Sequence, residues 1–180
     1  GYRRRAMGKL EGRAAIVTGA TSGMGRATAL LLAREGAAVV ASGRDPGRGA
    51  TLVEEIRLAG GRMEFVPGDV SLLETNARLV ETCLRSFGRV DAAVSCAGML
   101  GLGSAAEVPV DTWRQTLATN LDAPFYLLRC VLPQMQKRGG GAIVLVSSIA
   151  AFKGFPNHAA YCASKGALVA LVRQVAVDYG

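Results

Sequence analysis

Tyr161 and Lys165 stand four residues apart in the stretch Tyr-Cys-Ala-Ser-Lys. On a helix that spacing puts both side chains on one face, about one turn from each other, so a proton donor lies beside a cation. A tyrosine hydroxyl titrates near pH 10, and lending its proton at neutral pH requires a fall of roughly two to three units, or ~3 to 4 kcal/mol. An ammonium about 5 Å away in an effective dielectric of ~20 supplies ~3 kcal/mol. The pair therefore has the means for general acid–base chemistry. The same spacing also occurs as an ordinary surface pair, so the case rests on what surrounds it.

A second candidate chemistry is phosphate binding. Ala14 to Val17 is a short apolar run that ends in Thr18-Gly19-Ala20-Thr21-Ser22-Gly23-Met24-Gly25, after which Arg26 to Glu35 has helical composition. A strand feeding a glycine-rich turn into a helix gathers unpaired backbone N–H groups and the positive helix end at one spot, where a pyrophosphate can sit. Glycine serves there because a side chain would block the ligand or demand an unfavourable φ. The spacing Gly19-x-x-x-Gly23-x-Gly25 departs from Gly-x-Gly-x-x-Gly, and a plain tight loop is the competing reading. Its place after the first strand of an alternating pattern favours phosphate.

That pattern supplies the scaffold. Ala37 to Ser42 makes a second strand, Asp45 to Ala59 a polar-faced helix, and Arg62 to Pro67 a third strand closed by Gly68-Asp69. Ser71 is expected to cap a helix reaching about Phe87, and Ala92 to Ser95 is a fourth strand ending in Cys96-Ala97-Gly98. Met99 to Pro109 reads as a loop. Asp111 is expected to cap a long helix, with Trp113, Leu117, Leu121, Phe125, Leu128 and Leu132 as its apolar stripe. Pro124 should kink this helix and Pro133 kink or shorten it before Gly139-Gly-Gly141 stops it. Ala142 to Val146 is a fifth strand, and a last helix is expected from near Tyr161 to about Gly180, apolar over most of its circumference and so buried on more than one side. Alternation of strands and helices argues for parallel pairing with right-handed crossovers.

Half of the 180 residues are hydrophobic, enough for one domain with a sizeable core. Arg3, Arg4 and Arg5 carry three of the seven net positive charges in a leader, residues 1–6, which reads as tag-like; Met7 reads as a natural start, and residues 7–180 as the folded unit. The remaining +4 is mild and shows no clustered basic helix of the kind that tracks nucleic acid. Cys83, Cys96, Cys130 and Cys162 are far apart, and His158 is the one histidine, which argues against a metal site. The cysteines read as small buried apolar residues in a reducing compartment. No apolar run approaches the ~18 residues that span a bilayer, so a cytoplasmic protein is expected.

The end of the second strand decides how an adenosine ribose is held: an acidic residue there accepts from the 2′-hydroxyl, an arginine meets a 2′-phosphate. Ser42-Gly43-Arg44 offers no carboxylate before Arg44, so NADP is favoured over NAD, while Asp45 keeps NAD open.

Taken together, these segments resemble the short-chain dehydrogenase/reductase family from Gly8 to Gly180. Thr18 to Gly25 matches its Thr-Gly-x-x-x-Gly-x-Gly turn, Asp69-Val70 its adenine-contacting pair, and Tyr161-x-x-x-Lys165 its catalytic pair. Ser148 precedes Tyr161 by thirteen residues, the spacing of the family's catalytic serine, and Asn120 sits where the family carries its structural asparagine. Ser95-Cys96-Ala97-Gly98 stands where the family often has Asn-Asn-Ala-Gly, so a bracing role for those side chains is not carried over.

The resemblance implies an α/β fold: a Rossmann-like doubly wound parallel sheet in three α/β/α layers. Family members usually continue into a sixth strand, a Pro-Gly turn, a lid and a seventh strand, so the fold is expected to lack its last strands. It implies hydride transfer between NADP(H) or NAD(H) and a carbonyl or secondary alcohol, with Tyr161 as general acid/base. Lys165 would lower the Tyr161 pKa and bond the nicotinamide ribose, Ser148 would stabilise the substrate oxygen, and Asn120 would hold a water linking Lys165 to solvent. Gly19, Thr21, Ser22, Gly23, Met24, Gly25, Arg44, Asp69, Val70, Cys96, Ala97 and Gly98 would line the cofactor. Ile149 to Phe152 and Phe155-Pro156 would suit a partly apolar substrate. A homodimer or homotetramer through the long helices near 111–137 and 161–180 is expected. The alternatives are a catalytically silent nucleotide-binding or dimerising fragment, and a basic nucleic-acid-binding protein sharing the fold.

Overall fold

The computed structural model describes residues 8–180. The leader at 1–6 and Met7 lie outside the described residues. Five strands, β1 (Ala14–Thr18), β2 (Ala38–Gly43), β3 (Arg62–Pro67), β4 (Ala92–Ser95) and β5 (Ala142–Leu145), pair in the order β3-β2-β1-β4-β5, all parallel. β1 is buried along its whole length because both its faces are covered, and that is why it reads as an unbroken apolar run rather than an alternating one. Its register sets Ile16 beside Val40 on one neighbour and Ala93 on the other.

Alternate residues of the sheet feed two cores. On one face Ile16, Val40 and Ala93 pack with Leu79 and Cys83 of α3 (Leu73–Phe87) and with Leu127 and Val131 of a later helix. On the other face Val17, Val39 and Ala41 pack with Ala29 and Ala33 of α1 (Gly23–Arg34) and Leu52 and Ile56 of α2 (Pro46–Leu58). Full burial of Ile16, Leu52 or Leu79 contributes about 2 to 3 kcal/mol each. These are the expected three layers. After β3 the chain crosses β1 to build β4, so strand order reverses between β1 and β4 and opens a crevice at their carboxyl ends.

The helix before β5 differs from its sequence reading. It comprises α4 (Val110–Leu117), a π turn (Ala118–Asp122) and α5 (Ala123–Lys137). Pro109, not Asp111, stands at its N-cap, leaving Asp111 in the first turn. Pro124 lacks the N–H that an α-helix would aim at the Asn120 carbonyl, and the ladder slips by one residue, with Ala123 N–H bonded to the Ala118 carbonyl. The distortion therefore falls before the proline and centres on Asn120. Pro133 lies inside α5, which continues to Lys137 without being shortened. Similarly, Leu72 rather than Ser71 occupies the N-cap of α3.

The last helix, α6 (Ala159–Tyr179), starts two residues earlier than expected and places Tyr161 in its first turn. Within the single chain only Ala160, Ser164, Lys165 and Leu168 of this helix are buried, while Val177 is 80% exposed, so any further cover has to come from outside the described residues. Its second half borders edge strand β5 across an apolar groove of about 740 Å³. Among the described residues no helix is long and apolar enough to cross a membrane.

Candidate active site

The crevice at the sheet's switch point is a cleft of about 580 Å³, within the range of small-molecule sites. Gly19, Thr21, Ser22, Gly23, Met24, Gly25, Arg44, Asp69, Val70, Cys96, Ala97 and Gly98 all line it. Four turns, following β1, β2, β3 and β4, thus deliver residues far apart in sequence to one wall.

The glycines meet a packing demand there. Gly19 has φ of +66°, and a Cβ on it would lie 2.6 Å from the Ala97 backbone nitrogen. A Cβ on Gly25 would collide with the Gly19 carbonyl oxygen. The turn is pinned to β2 by Ala20 N–H donating to the Ser42 carbonyl at 2.9 Å. It leads into the N-terminus of α1, where Ser22 makes no side-chain cap. Free N–H groups at the positive end of a helix, beside glycines that keep the backbone accessible, suit a pyrophosphate.

At the end of β2, Arg44 is exposed and lines the cleft. The carboxylate of Asp45 accepts from Arg48 N–H at 3.0 Å as the cap of α2 and pairs with the Arg48 guanidinium at 3.4 Å. After β3, Asp69 folds back so that its Oδ1 accepts from Ser71 N–H at 2.9 Å, and Val70 is almost fully buried.

Asn120, Tyr161 and Lys165 are linked beside the cleft, and Ser148 lies at the start of the short turn after β5. Asn120 is fully buried; its Nδ2 donates to the Met99 carbonyl at 2.9 Å and to Ser164 Oγ at 3.0 Å, and its Oδ1 accepts from Met99 N–H at 2.8 Å. Ser164 Oγ donates in turn to the Tyr161 carbonyl at 2.8 Å. Lys165 Nζ donates to the Val146 carbonyl at 2.8 Å and lies 5.8 Å from the Tyr161 ring centroid. Burial pushes the Lys165 ammonium below its ordinary pKa, with the Cys96 sulfur acting weakly the other way. Ser148 Oγ accepts from Ala150 N–H at 3.1 Å, capping a short 3-10 turn at Ile149–Ala151. Gly98 joins the two groups: it lines the cleft, and a Cβ on it would lie 3.8 Å from Lys165 Nζ and 3.5 Å from Asn120 Oδ1.

The altered turn after β4 is accommodated without asparagines. Ser95 pairs in register with Thr18, their hydroxyls 3.5 Å apart, and the half-buried Cys96 thiol is pushed up by burial. Sequence reasoning missed Gly43 and Gly68, which end β2 and β3 at the cleft, and Gln115, Ala118 and Thr119 on its far wall. The two glycines carried a usable signal, since each follows a strand within the alternating pattern. Ser164 carried none, because its role depends on Asn120, 44 residues away.

A cleft at the switch point of a parallel sheet flanked by helices on both faces places this chain among Rossmann-like folds. Residues 13–180 match the family described as short chain dehydrogenase, and the chain belongs to that family. It is 44% identical over 174 residues to the 3beta-hydroxysteroid dehydrogenase of Mediterraneibacter gnavus, an alignment covering 96% of this chain and 63% of that protein. Among solved structures, 7 alpha-hydroxysteroid dehydrogenase complexed with NADH and 7-oxo glycochenodeoxycholic acid superposes with a TM-score of 0.91 at 33% identity, covering 95% of this chain and 67% of the other. NAD+-bound xylitol dehydrogenase gives a TM-score of 0.91 at 34% identity, with coverage of 95% and 66%. The chain thus spans about two thirds of the length of these relatives.

Proposed function

We propose that this chain carries the cofactor cleft and proton-transfer groups of a nicotinamide-dependent oxidoreductase that interconverts a secondary alcohol and its ketone, with NADP(H) preferred. The observation that carries this reading is the position of Gly98, which brings the cleft and the Lys165–Asn120 pair into contact at one residue.

The bound nicotinamide supplies the hydride acceptor or donor. Tyr161 moves the proton on and off the substrate oxygen. An ammonium has three donors and Val146 takes one from Lys165, leaving two for a ribose hydroxyl and for the Tyr161 oxygen side of the site. Ser148 Oγ accepts from Ala150 N–H, which turns its own proton outward to donate to the substrate oxygen as charge develops. Asn120 fixes the group: its amide is committed to Met99 and Ser164, so any water it holds is bound by its main chain or its remaining lone pair.

The NADP preference is supported by Arg44, which lines the cleft at the end of β2, and by Asp45, whose carboxylate is occupied as a helix cap. Around Ser148 and Met99, Ile149, Phe152, Leu100 and Leu102 are each at least half exposed, an apolar rim suited to a ring system. With the names of the two hydroxysteroid dehydrogenases above, this favours a hydroxylated apolar polycycle such as a hydroxysteroid. Exposed Phe125 on α5 and Val172 on α6 support assembly as a homo-oligomer through these helices.

Replacing Tyr161 with Phe tests the central claim. Turnover of a hydroxysteroid with NADP+ should fall by about 10²–10⁴-fold while NADPH binding stays within twofold. Undiminished turnover would refute the assignment.

A further inference from the structure

Asn76 is a fully buried polar residue in the first turns of α3, outside the cleft itself. Its Nδ2 donates to the Val70 carbonyl at 2.8 Å and to the Leu72 carbonyl at 2.9 Å, while its Oδ1 is buried without a partner among the described residues. An orphaned buried oxygen is costly, and an apolar side chain at this position would avoid that cost by joining Leu79 and Val80 on the buried face of the helix. What an apolar residue cannot do is hold the Val70 carbonyl.

That carbonyl belongs to the turn that forms the cleft wall after β3. Gly68, Asp69, Val70 and Ser71 line the cleft, and no strand ladder holds them beyond Pro67. Gly68 N–H reaches back to the Gly43 carbonyl, Leu72 N–H to the Asp69 carbonyl, and Asp69 Oδ1 is occupied by Ser71 N–H. The peptide between Val70 and Ser71 is gripped from beneath by Asn76. Thr75, also buried, packs under the same turn: a Cβ on Gly68 would lie 2.9 Å from its Oγ1 and its methyl carbon.

We propose that Asn76 is a positioning residue for the adenosine end of the dinucleotide site, acting through the Val70 carbonyl to set the Asp69–Val70 wall while touching no ligand itself. The inference rests on the dinucleotide reading above and adds a residue to it. Its effect is confined to one end of the ligand. Loss of the two donors lets the turn relax, which weakens contacts to the adenine and leaves the Lys165–Tyr161 end as it was.

The test compares two ligands on three proteins: wild type, Asn76→Ala and Asn76→Val, with thermal unfolding of each to establish that it is folded. NADPH and reduced nicotinamide mononucleotide, which lacks the adenosine half, are titrated by fluorescence. Both variants should raise the NADPH dissociation constant about tenfold and change that of the mononucleotide less than twofold. A folded variant that binds NADPH as wild type does, or that loses both ligands in parallel, overturns the proposal, the second outcome marking Asn76 as a residue of the fold alone. Should one variant fail to fold, the other decides. Wild-type protein that binds no NADPH would sink the dinucleotide reading itself, and this inference with it, a result distinct from intact wild-type binding with unaffected variants.

Discussion

The Lys165 ammonium is held by the Val146 carbonyl at 2.8 Å, 19 residues away across the junction between β5 and α6. Lys165 is only 5% exposed, and among the described residues no carboxylate pairs with its ammonium. A buried ammonium bonded to a neutral carbonyl keeps much of its desolvation cost, and that cost lowers its pKa. The same arrangement leaves donors free to meet a ligand. If Lys165 serves the proposed chemistry, fold stability and function are opposed at this residue.

The opposition has a pH signature. An unfolded lysine titrates near 10.4, and the folded one lower. Between those two values the unfolded chain holds more protons, so stability rises with pH across that window; below the folded pKa the penalty is present in full. Lys165→Met removes the titration. The difference in unfolding free energy between wild type and this variant should shift in favour of wild type as pH rises toward 10.4, while the variant loses turnover by at least about 10²-fold. Denaturant unfolding at several pH values between 7 and 10.5 checks the sign.

Asp91 shows the reverse case at the other end of the sheet. Burial works to raise its carboxyl pKa, but the Arg89 guanidinium at 2.5 and 2.6 Å, the Ala14 N–H at 2.8 Å and Arg13 outweigh it and hold the group at about 2. Because the folded pKa is depressed, this stabilisation is complete above the unfolded value near 3.9 and is lost as pH falls through about 2. Asp91→Asn should lower stability at pH 7 by about 1 to 3 kcal/mol, with the difference from wild type shrinking between pH 4 and 2. The measurement is urea unfolding at both ends of that range. An equal difference at pH 7 and pH 2 would remove Asp91 as an ionic anchor of β1 and β4.

Two of the three glycines in the Thr18–Gly25 turn, Gly23 and Gly25, should respond differently to the same substitution. A Cβ on Gly25 would collide with the Gly19 carbonyl oxygen, so Gly25→Ala must move the turn itself. Gly23 has φ of +51° but nothing within 4 Å of a Cβ, so Gly23→Ala adds only left-handed strain of about 1 to 2 kcal/mol. Gly25→Ala should weaken NADPH binding more than tenfold, and Gly23→Ala should leave a folded protein with a smaller loss. Fluorescence titration of both variants separates the cases, and a reversed order would show that the turn does not approach the ligand as described.

The strands and glycine turns were legible in the sequence because each signal is local: an unbroken apolar run such as Ala14 to Val17, then residues that permit a tight turn. The cleft-lining residues at the carboxyl ends of β1, β2, β3 and β4 were legible from the glycine turns and the family motifs, whereas Gln115, Ala118 and Thr119, which come from α4 and the π turn, were not. What escaped depends on pairs far apart. The π turn arises from a missing N–H at Pro124 acting on Asn120, and its value lies in aiming Asn120 at Met99 and Ser164, which no periodicity encodes. Asn76 reads as an ordinary polar position within a helix until the turn it holds is placed beside it. For the second half of α6, apolar composition reports a need for burial without reporting whether the chain itself provides it, and the single chain leaves that half exposed.

Arg44 gives the sharpest test of cofactor choice. Arg44 lines the cleft and has no side-chain hydrogen bond or ion pair among the described residues, while the neighbouring Asp45 carboxylate is engaged by Arg48. A 2′-phosphate would give Arg44 a charge-assisted partner, whereas a 2′-hydroxyl would find no free carboxylate beside it. Arg44→Ala should therefore weaken NADPH about tenfold or more, equivalent to ~1.4 kcal/mol, and shift NADH less than twofold. Because the contact is electrostatic and solvent-exposed, the wild-type preference should also shrink as salt is raised from about 0.05 to 0.5 M, with the variant insensitive. Equal loss of both cofactors would assign Arg44 a role in shaping the turn and withdraw the preference for NADP.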